Sequence, residues 1–103
     1  MEFEFGEKLQ FDFGLIKDQK WSNEVRYYCP IVKYFPILQI IKDHIWFPKY
    51  ICIFEGKLKF GDFAYMNLQA VDEKELYEHI KSLVKKAKDL ANIISYKRMQ
   101  EDF

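Results

Sequence analysis

Hydrophobic and polar residues follow three different rhythms along the chain. At the start they alternate: Glu2-Phe3-Glu4-Phe5, then Leu9-Gln10-Phe11-Asp12-Phe13, with Gly6-Glu7-Lys8 between them. Period-two alternation on both sides of a short glycine-containing loop predicts a β-hairpin. Phe3, Phe5, Leu9, Phe11 and Phe13 would form its apolar face. Residues 15–23 predict a loop, and residues 24–29 a strand that ends at Pro30. Further on, Tyr50-Ile51-Cys52-Ile53-Phe54 predicts a buried strand. Glu55-Gly56 supplies a turn, and residues 57–60 alternate as the return strand. Gly61-Asp62 gives a second turn signal before a further strand over residues 63–68.

The second rhythm is harder to read. Residues 31–50 are bracketed by Pro30, Pro36 and Pro48. Gln39, Lys42 and Asp43 are the polar positions, and the next step on that face is Trp46. This spacing predicts one short, mostly buried helix over residues 36–47 with Pro36 in its first turn. The many isoleucines argue for two short strands instead.

The third rhythm is regular. Leu76, Ile80, Leu83, Val84, Ala87, Leu90, Ala91 and Ile94 recur three and four apart and form one stripe. Asp72 can cap the start, with Glu75 three residues on. Acidic residues gather at the beginning and Lys97 and Arg98 near the end, as the helix macrodipole favours. A helix is expected from about residue 72 to about residue 98. At 1.5 Å per residue it spans roughly 40 Å, longer than the roughly 33 Å width of a compact domain of this size. The far end of the stripe, at Ala87, Leu90, Ala91 and Ile94, is therefore expected to form a homodimer contact.

Together these elements predict one α+β domain over residues 1–103. An antiparallel sheet of about five strands, in a β-rich body over residues 1–70, packs against a long C-terminal amphipathic helix over 72–98. A second, short helix fits within the body.

Composition narrows the class. Half of the 103 residues are hydrophobic and 18% are aromatic, enough to build a core without metal or disulfide support. Two cysteines, Cys29 and Cys52, suggest a reducing compartment. The acidic, alternating start does not read as a secretory signal, and no apolar run approaches a membrane span. A cytoplasmic location is expected, the cytoplasm of an infected host cell included. Sixteen basic residues balance sixteen acidic ones, so the molecule as a whole has no attraction for nucleic acid or anionic membrane.

No catalytic or metal motif emerges. Cys29, His44, Cys52 and His79 are the only cysteines and histidines, and no two lie close enough to make a local ligand pair. Ser22, Ser82 and Ser95 lack a nucleophile-elbow context, and the four glycines form no phosphate loop. Neither enzymatic activity nor a cofactor is expected.

Charge is nonetheless segregated. Residues 15–60 carry a net charge of +4, against −3 over residues 1–14 and −1 over residues 61–103. In this basic middle, cations interleave with aromatics: Lys20-Trp21, Arg26-Tyr27-Tyr28, Lys33-Tyr34-Phe35, Lys49-Tyr50 and Lys59-Phe60. Single-stranded nucleic acid is bound by such mixtures, bases stacking on rings while cations follow the backbone. A half-buried sheet with lysines on its wet face produces the same pattern. From Pro48-Lys49-Tyr50 through the strands to the helix capped at Asp72, the order of elements resembles that of small dimeric single-strand DNA-binding coactivators. In that family a β-sheet precedes one C-terminal helix that builds the dimer. The likeness covers about a third of the chain, and the neutral charge and residues 31–47 depart from it.

Tyrosine and tryptophan are also the usual anchors of protein interfaces. The expected function is non-catalytic binding, a protein partner ranking ahead of single-stranded nucleic acid. An inhibitor from a phage or mobile element, or a small assembly subunit, would look like this. The expected partner-binding residues are Trp21, Arg26, Tyr28, Lys33, Tyr34, Trp46 and Lys49.

Overall fold

The computed structural model describes residues 3–101 apart from Ser22 and Lys33. The chain opens with a helix, α1 (Phe3–Phe13), not with the expected hairpin. The reason lies in the spacing. Phe5, Leu9 and Phe13 are four residues apart, and four is both an even number and close to one helical turn. The same residues therefore share a face in either conformation. Gly6 decides between them. It is buried against Tyr27, and a Cβ placed there would lie 2.7 Å from the Tyr27 hydroxyl. The helix ends at Gly14, whose φ of 64° is left-handed, and the Leu15 amide donates to the Gln10 carbonyl at 2.9 Å. That six-residue closure is a glycine C-terminal cap. Phe11 falls on the wrong side and is 88% exposed.

Five strands follow as an antiparallel meander: β1 (Ile16–Trp21), β2 (Glu24–Tyr28), β3 (Leu38–Ile41), β4 (His44–Phe54) and β5 (Lys57–Asn67). The loop expected over residues 15–23 is in fact mostly β1. It is an edge strand of largely polar sequence, so no apolar alternation marked it. The helix expected over residues 36–47 is likewise absent. Those residues form β3 and the start of β4, joined by a turn at Lys42-Asp43 with Lys42 at φ 54°. The polar spacing that suggested a helix has two sources. Gln39 and Trp46 are cross-strand partners, while Lys42 and Asp43 are the turn. The isoleucines occupy the strands, where branched side chains pack without loss of χ1 freedom. The fold nevertheless has the short helix expected alongside the long one, at residues 3–13.

Lys57–Asn67 is one continuous strand, so Gly61-Asp62 is no turn. Asp62 adopts φ 52° within the strand, and Gly61 leaves room for the ring of its cross-strand partner Tyr50. A Cβ on Gly61 would lie 2.6 Å from that ring. The β4–β5 turn is at Glu55-Gly56, both with positive φ, as in the hairpin turns that match strand twist. Pro48 sits within β4 past the stretch paired with β3, where a missing N–H costs no ladder bond on that side.

After a 3-10 turn (Leu68–Ala70) the long helix α2 (Glu73–Glu101) begins. Asp72 caps it as expected: its Oδ1 accepts the amides of Lys74 at 3.0 Å and Glu75 at 3.1 Å. Leu76, Ile80, Leu83, Val84 and Ala87 are buried, Leu90 packs at the margin of the core, and residues 95–97 are exposed. The helix thus outruns its own core by about two turns.

Register places one row of the core as Val25, Ile40, Ile45 and Met66, side by side across β2 to β5. Tyr27 and Leu38 form the next pair, and Ile51 faces Phe60 farther along. This face meets the α2 stripe, while Leu9 and Phe5 bring α1 onto the same cluster. At the helix junction Phe13 lies 5.0 Å from Tyr77, whose hydroxyl donates to Asp12 at 2.8 Å. His79 Nε2 donates to the Pro48 carbonyl at 2.7 Å and so ties α2 to β4.

Tyr27 is wholly buried, and its hydroxyl has no hydrogen-bond partner among the described residues. A buried unpaired hydroxyl costs about 1–3 kcal/mol. Tyr27→Phe should therefore raise stability by about 1 kcal/mol in urea unfolding. Gly6→Ala should lower it by about 1–3 kcal/mol by overpacking against that hydroxyl. The double variant should lose less than the sum of the two single changes predicts, and simple additivity would disprove the contact. Burial, and then Glu7, also raises the Tyr27 pKa above 10.0. The neutral hydroxyl contributes stability below the unfolded value near 10, and this is lost as pH rises through the folded value. Unfolding free energy should fall above about pH 10, and less steeply in Tyr27→Phe.

Candidate interaction surface on the open sheet face

Both helices lie on one side of the sheet, so no described helix or strand covers the other side. Period-two geometry puts Glu24, Arg26, Tyr28, Gln39 and Trp46 there, opposite the buried Val25, Tyr27 and Ile45 and the partly buried Ile40. Antiparallel register aligns Arg26, Gln39, Trp46 and Tyr65 as one row across β2 to β5. The next row holds Glu24, Ile41, His44 and Asn67.

The rings in these rows touch. Trp46 and Tyr65 have centroids 4.3 Å apart, and His44 stacks on the other side of Tyr65 at 4.8 Å with planes 6° apart. Trp46 is 37% exposed and Tyr65 52%. Beside them Phe35, Pro36, Gln39, Trp46 and Phe63 line a cleft of about 250 Å³. Such a cleft has room for one large apolar side chain.

The polar groups here are already paired. Arg26 donates through Nε to Glu24 Oε1 at 2.9 Å, and Gln39 Nε2 donates to the same oxygen at 2.8 Å. Tyr28, and then Glu24, raise the Arg26 pKa, so this cation stays charged and neutralised by Glu24. His44 Nδ1 lies 2.9 Å from Asp43 Oδ1. Off this face, farther along β4, Lys49 reaches Asp62 at 3.7 Å.

Of the residues expected to bind a partner, Arg26, Tyr28 and Trp46 come together on this face. Tyr34, in the connection before β3, is 78% exposed. Lys49 is exposed farther along β4. Lys33 lies outside the described residues; Trp21 ends β1, and its side chain lies outside them too. The sequence reading missed Gln39, His44, Phe63 and Tyr65. Cross-strand register brings Gln39, His44 and Tyr65 to Trp46, and Phe63 joins them at the cleft. Their signal was faint: Phe63 and Tyr65 alternate with Ala64 and Met66.

The expected dimer residues separate. Ala87 is fully buried in the chain's own core and has no surface to offer a second copy. It is too small to extend past the neighbouring core side chains. Leu90 packs at the core margin, while Ala91 and Ile94 remain half-buried.

Burial raises the pKa of Cys29, so its thiol is not activated as a nucleophile. Among the described residues no three histidine, cysteine or acidic side chains cluster to hold a metal ion. Among them, too, no helix is long and apolar enough to cross a membrane. No protein-family model, curated protein or solved structure matches this chain. The likeness to the single-strand-binding coactivators thus rests on element order alone.

The Arg26–Glu24–Gln39 network holds the polar edge of the surface at about half exposure or less. Glu24→Gln should cost no more than about 1 kcal/mol of stability, as partly exposed pairs do. A larger loss in thermal unfolding would show that the network supports the fold instead of the surface.

Proposed function

We propose that this protein is a non-catalytic binding module that engages a protein partner through the open face of its sheet. One observation carries this reading: Trp46, Tyr65, His44, Phe35 and Phe63 form a connected aromatic surface with no layer over it. Contiguous exposed apolar surface in water is unfavourable and marks contact sites. The cleft between Phe35, Trp46 and Phe63 would take an anchor side chain from the partner. An inhibitor of mobile-element origin and a small assembly subunit both work by occupying a surface in this way. A reducing, cytoplasmic setting belongs to the same proposal, in keeping with the unpaired Cys29 and Cys52. Self-association through Leu90, Ala91 and Ile94 belongs to it as well, supported by their incomplete burial.

Single-stranded nucleic acid is the second reading, since the rings offer a stacking platform. It is weakened because the cation beside the ring cluster, Arg26, is already paired with Glu24. Phosphates need cations free to replace condensed counterions.

Trp46→Ala and Tyr65→Ala should each abolish affinity capture of the partner from the source cell, with a loss of about 2 kcal/mol or more. Because Tyr65 is more than half exposed, Tyr65→Ala should change thermal unfolding little, whereas Trp46→Ala, at a ring that is mostly covered, should lower it modestly. Capture that survives both changes would rule out this face. Added salt should weaken the complex only slightly, because the contact is apolar. For a labelled single-stranded oligonucleotide, fluorescence anisotropy should show no dependence on Trp46, Tyr65 or Lys49. A clear drop in Trp46→Ala or Lys49→Glu would restore the nucleic-acid reading of this face.

A further inference from the structure

A separate feature lies on the solvent side of α2. Lys81, Lys85, Lys86 and Lys88 are all exposed. No carboxylate occurs from residue 79 to residue 88. Among the described residues none of these four lysines forms an ion pair. Lys81, Lys85 and Lys88 are four and three residues apart, which puts them on one face of the helix. They span about 10 Å of its axis. Like charges at this spacing disfavour the helix, yet its carboxylates gather at Glu73, Glu75 and Glu78 ahead of the lysines, and the next one, Asp89, comes only after Lys88. In a chain of zero formal net charge this is a concentrated positive strip.

We propose that this strip docks on the phosphate backbone of double-stranded nucleic acid. Charge complementarity selects the occupant. Lysine ammonium groups act as point charges, suited to phosphates and without the planar fork that arginine uses on carboxylates. No phenylalanine, tyrosine or tryptophan lies within residues 79–88 to stack an unpaired base, and the His79 ring is turned to Phe47 and the Pro48 carbonyl. A straight, rigid row of cations matches the stiff line of phosphates along a duplex, which carries one negative charge per about 1.7 Å. The acidic first turns of α2 repel the same backbone and confine contact to the strip. Binding there is independent of base sequence, because it reaches only phosphates. The strip lies on the opposite side of the molecule from the aromatic sheet face, so the two surfaces act separately.

The test is fluorescence anisotropy of a labelled duplex titrated with the full chain at low and moderate salt. Neutralising about three phosphates gives a slope of about −3 for log affinity against log salt, or roughly 40-fold weaker binding for a fourfold rise in salt. The triple variant Lys81→Glu, Lys85→Glu, Lys88→Glu should bind at least about tenfold more weakly at low salt, and the matching arginine triple should retain binding. Circular dichroism should show both variants folded, since all three positions are exposed. Trp46→Ala should bind the duplex as the parent does. The proposal is overturned by absence of duplex binding at low salt, by equal binding of the glutamate triple, or by tighter binding of a single strand of the same length.

Discussion

Two α-helices suffice to cover one face of a five-stranded sheet, and the described residues form only two. α2 lays Leu76, Ile80, Leu83, Val84 and Ala87 against the strands, and α1 closes the side with Phe5 and Leu9. Each sheet residue faces one side or the other by strict alternation. Burying Val25, Tyr27, Leu38 and Ile45 therefore commits Arg26, Gln39, Trp46 and their neighbours to the uncovered side. A one-residue slip would exchange the two sets, so the core that stabilises the fold also holds the aromatic surface in place. Surface and core are two sides of one register.

The seat of α1 depends on a close approach. Gly6 lets the helix backbone come down on the Tyr27 ring, and the ring fills the space a side chain would have taken. The Tyr27 hydroxyl is left without a partner in that contact. Packing favours the arrangement and hydrogen bonding opposes it, and the apolar area buried by a tyrosine ring outweighs one lost hydroxyl bond. Phe11 is exposed for a related reason: once Phe5, Leu9 and Phe13 face inward, a helix must turn Phe11 outward.

Electrostatics divides the surface in a way that net charge conceals. On the open sheet face Arg26 is neutralised in place by Glu24, and the surface around Trp46 presents rings and amides, with Lys57 and Lys59 farther along the same face. On α2 carboxylates gather at the first turns and lysines in the middle, with Asp89 just beyond them. A total of zero thus conceals an aromatic patch with its charges paired and a polarised helix.

Several features were legible in the sequence by itself: the α+β class, the cap at Asp72, the apolar stripe of α2, the Glu55-Gly56 turn and the strands around it. Each rests on a local rule, a period near 3.6 or 2, a side chain that caps, or a glycine that permits positive φ. Trp46, Arg26 and Tyr28 were also identifiable as candidates from composition. Tertiary structure alone decided the rest. Phe5, Leu9 and Phe13 satisfy a strand and a helix equally, and only the fit of Gly6 to Tyr27 selects the helix. Ile40, Ile41 and Ile45 are apolar in either conformation, and pairing with β2 and β5 makes them strands. β1 has no apolar period because an edge strand buries little. The junction of Gln39, Trp46 and Tyr65 joins residues up to 26 positions apart in the sequence. Local pattern reports which face a residue prefers; it carries no information on which strand will lie beside it, because long-range packing sets that pairing.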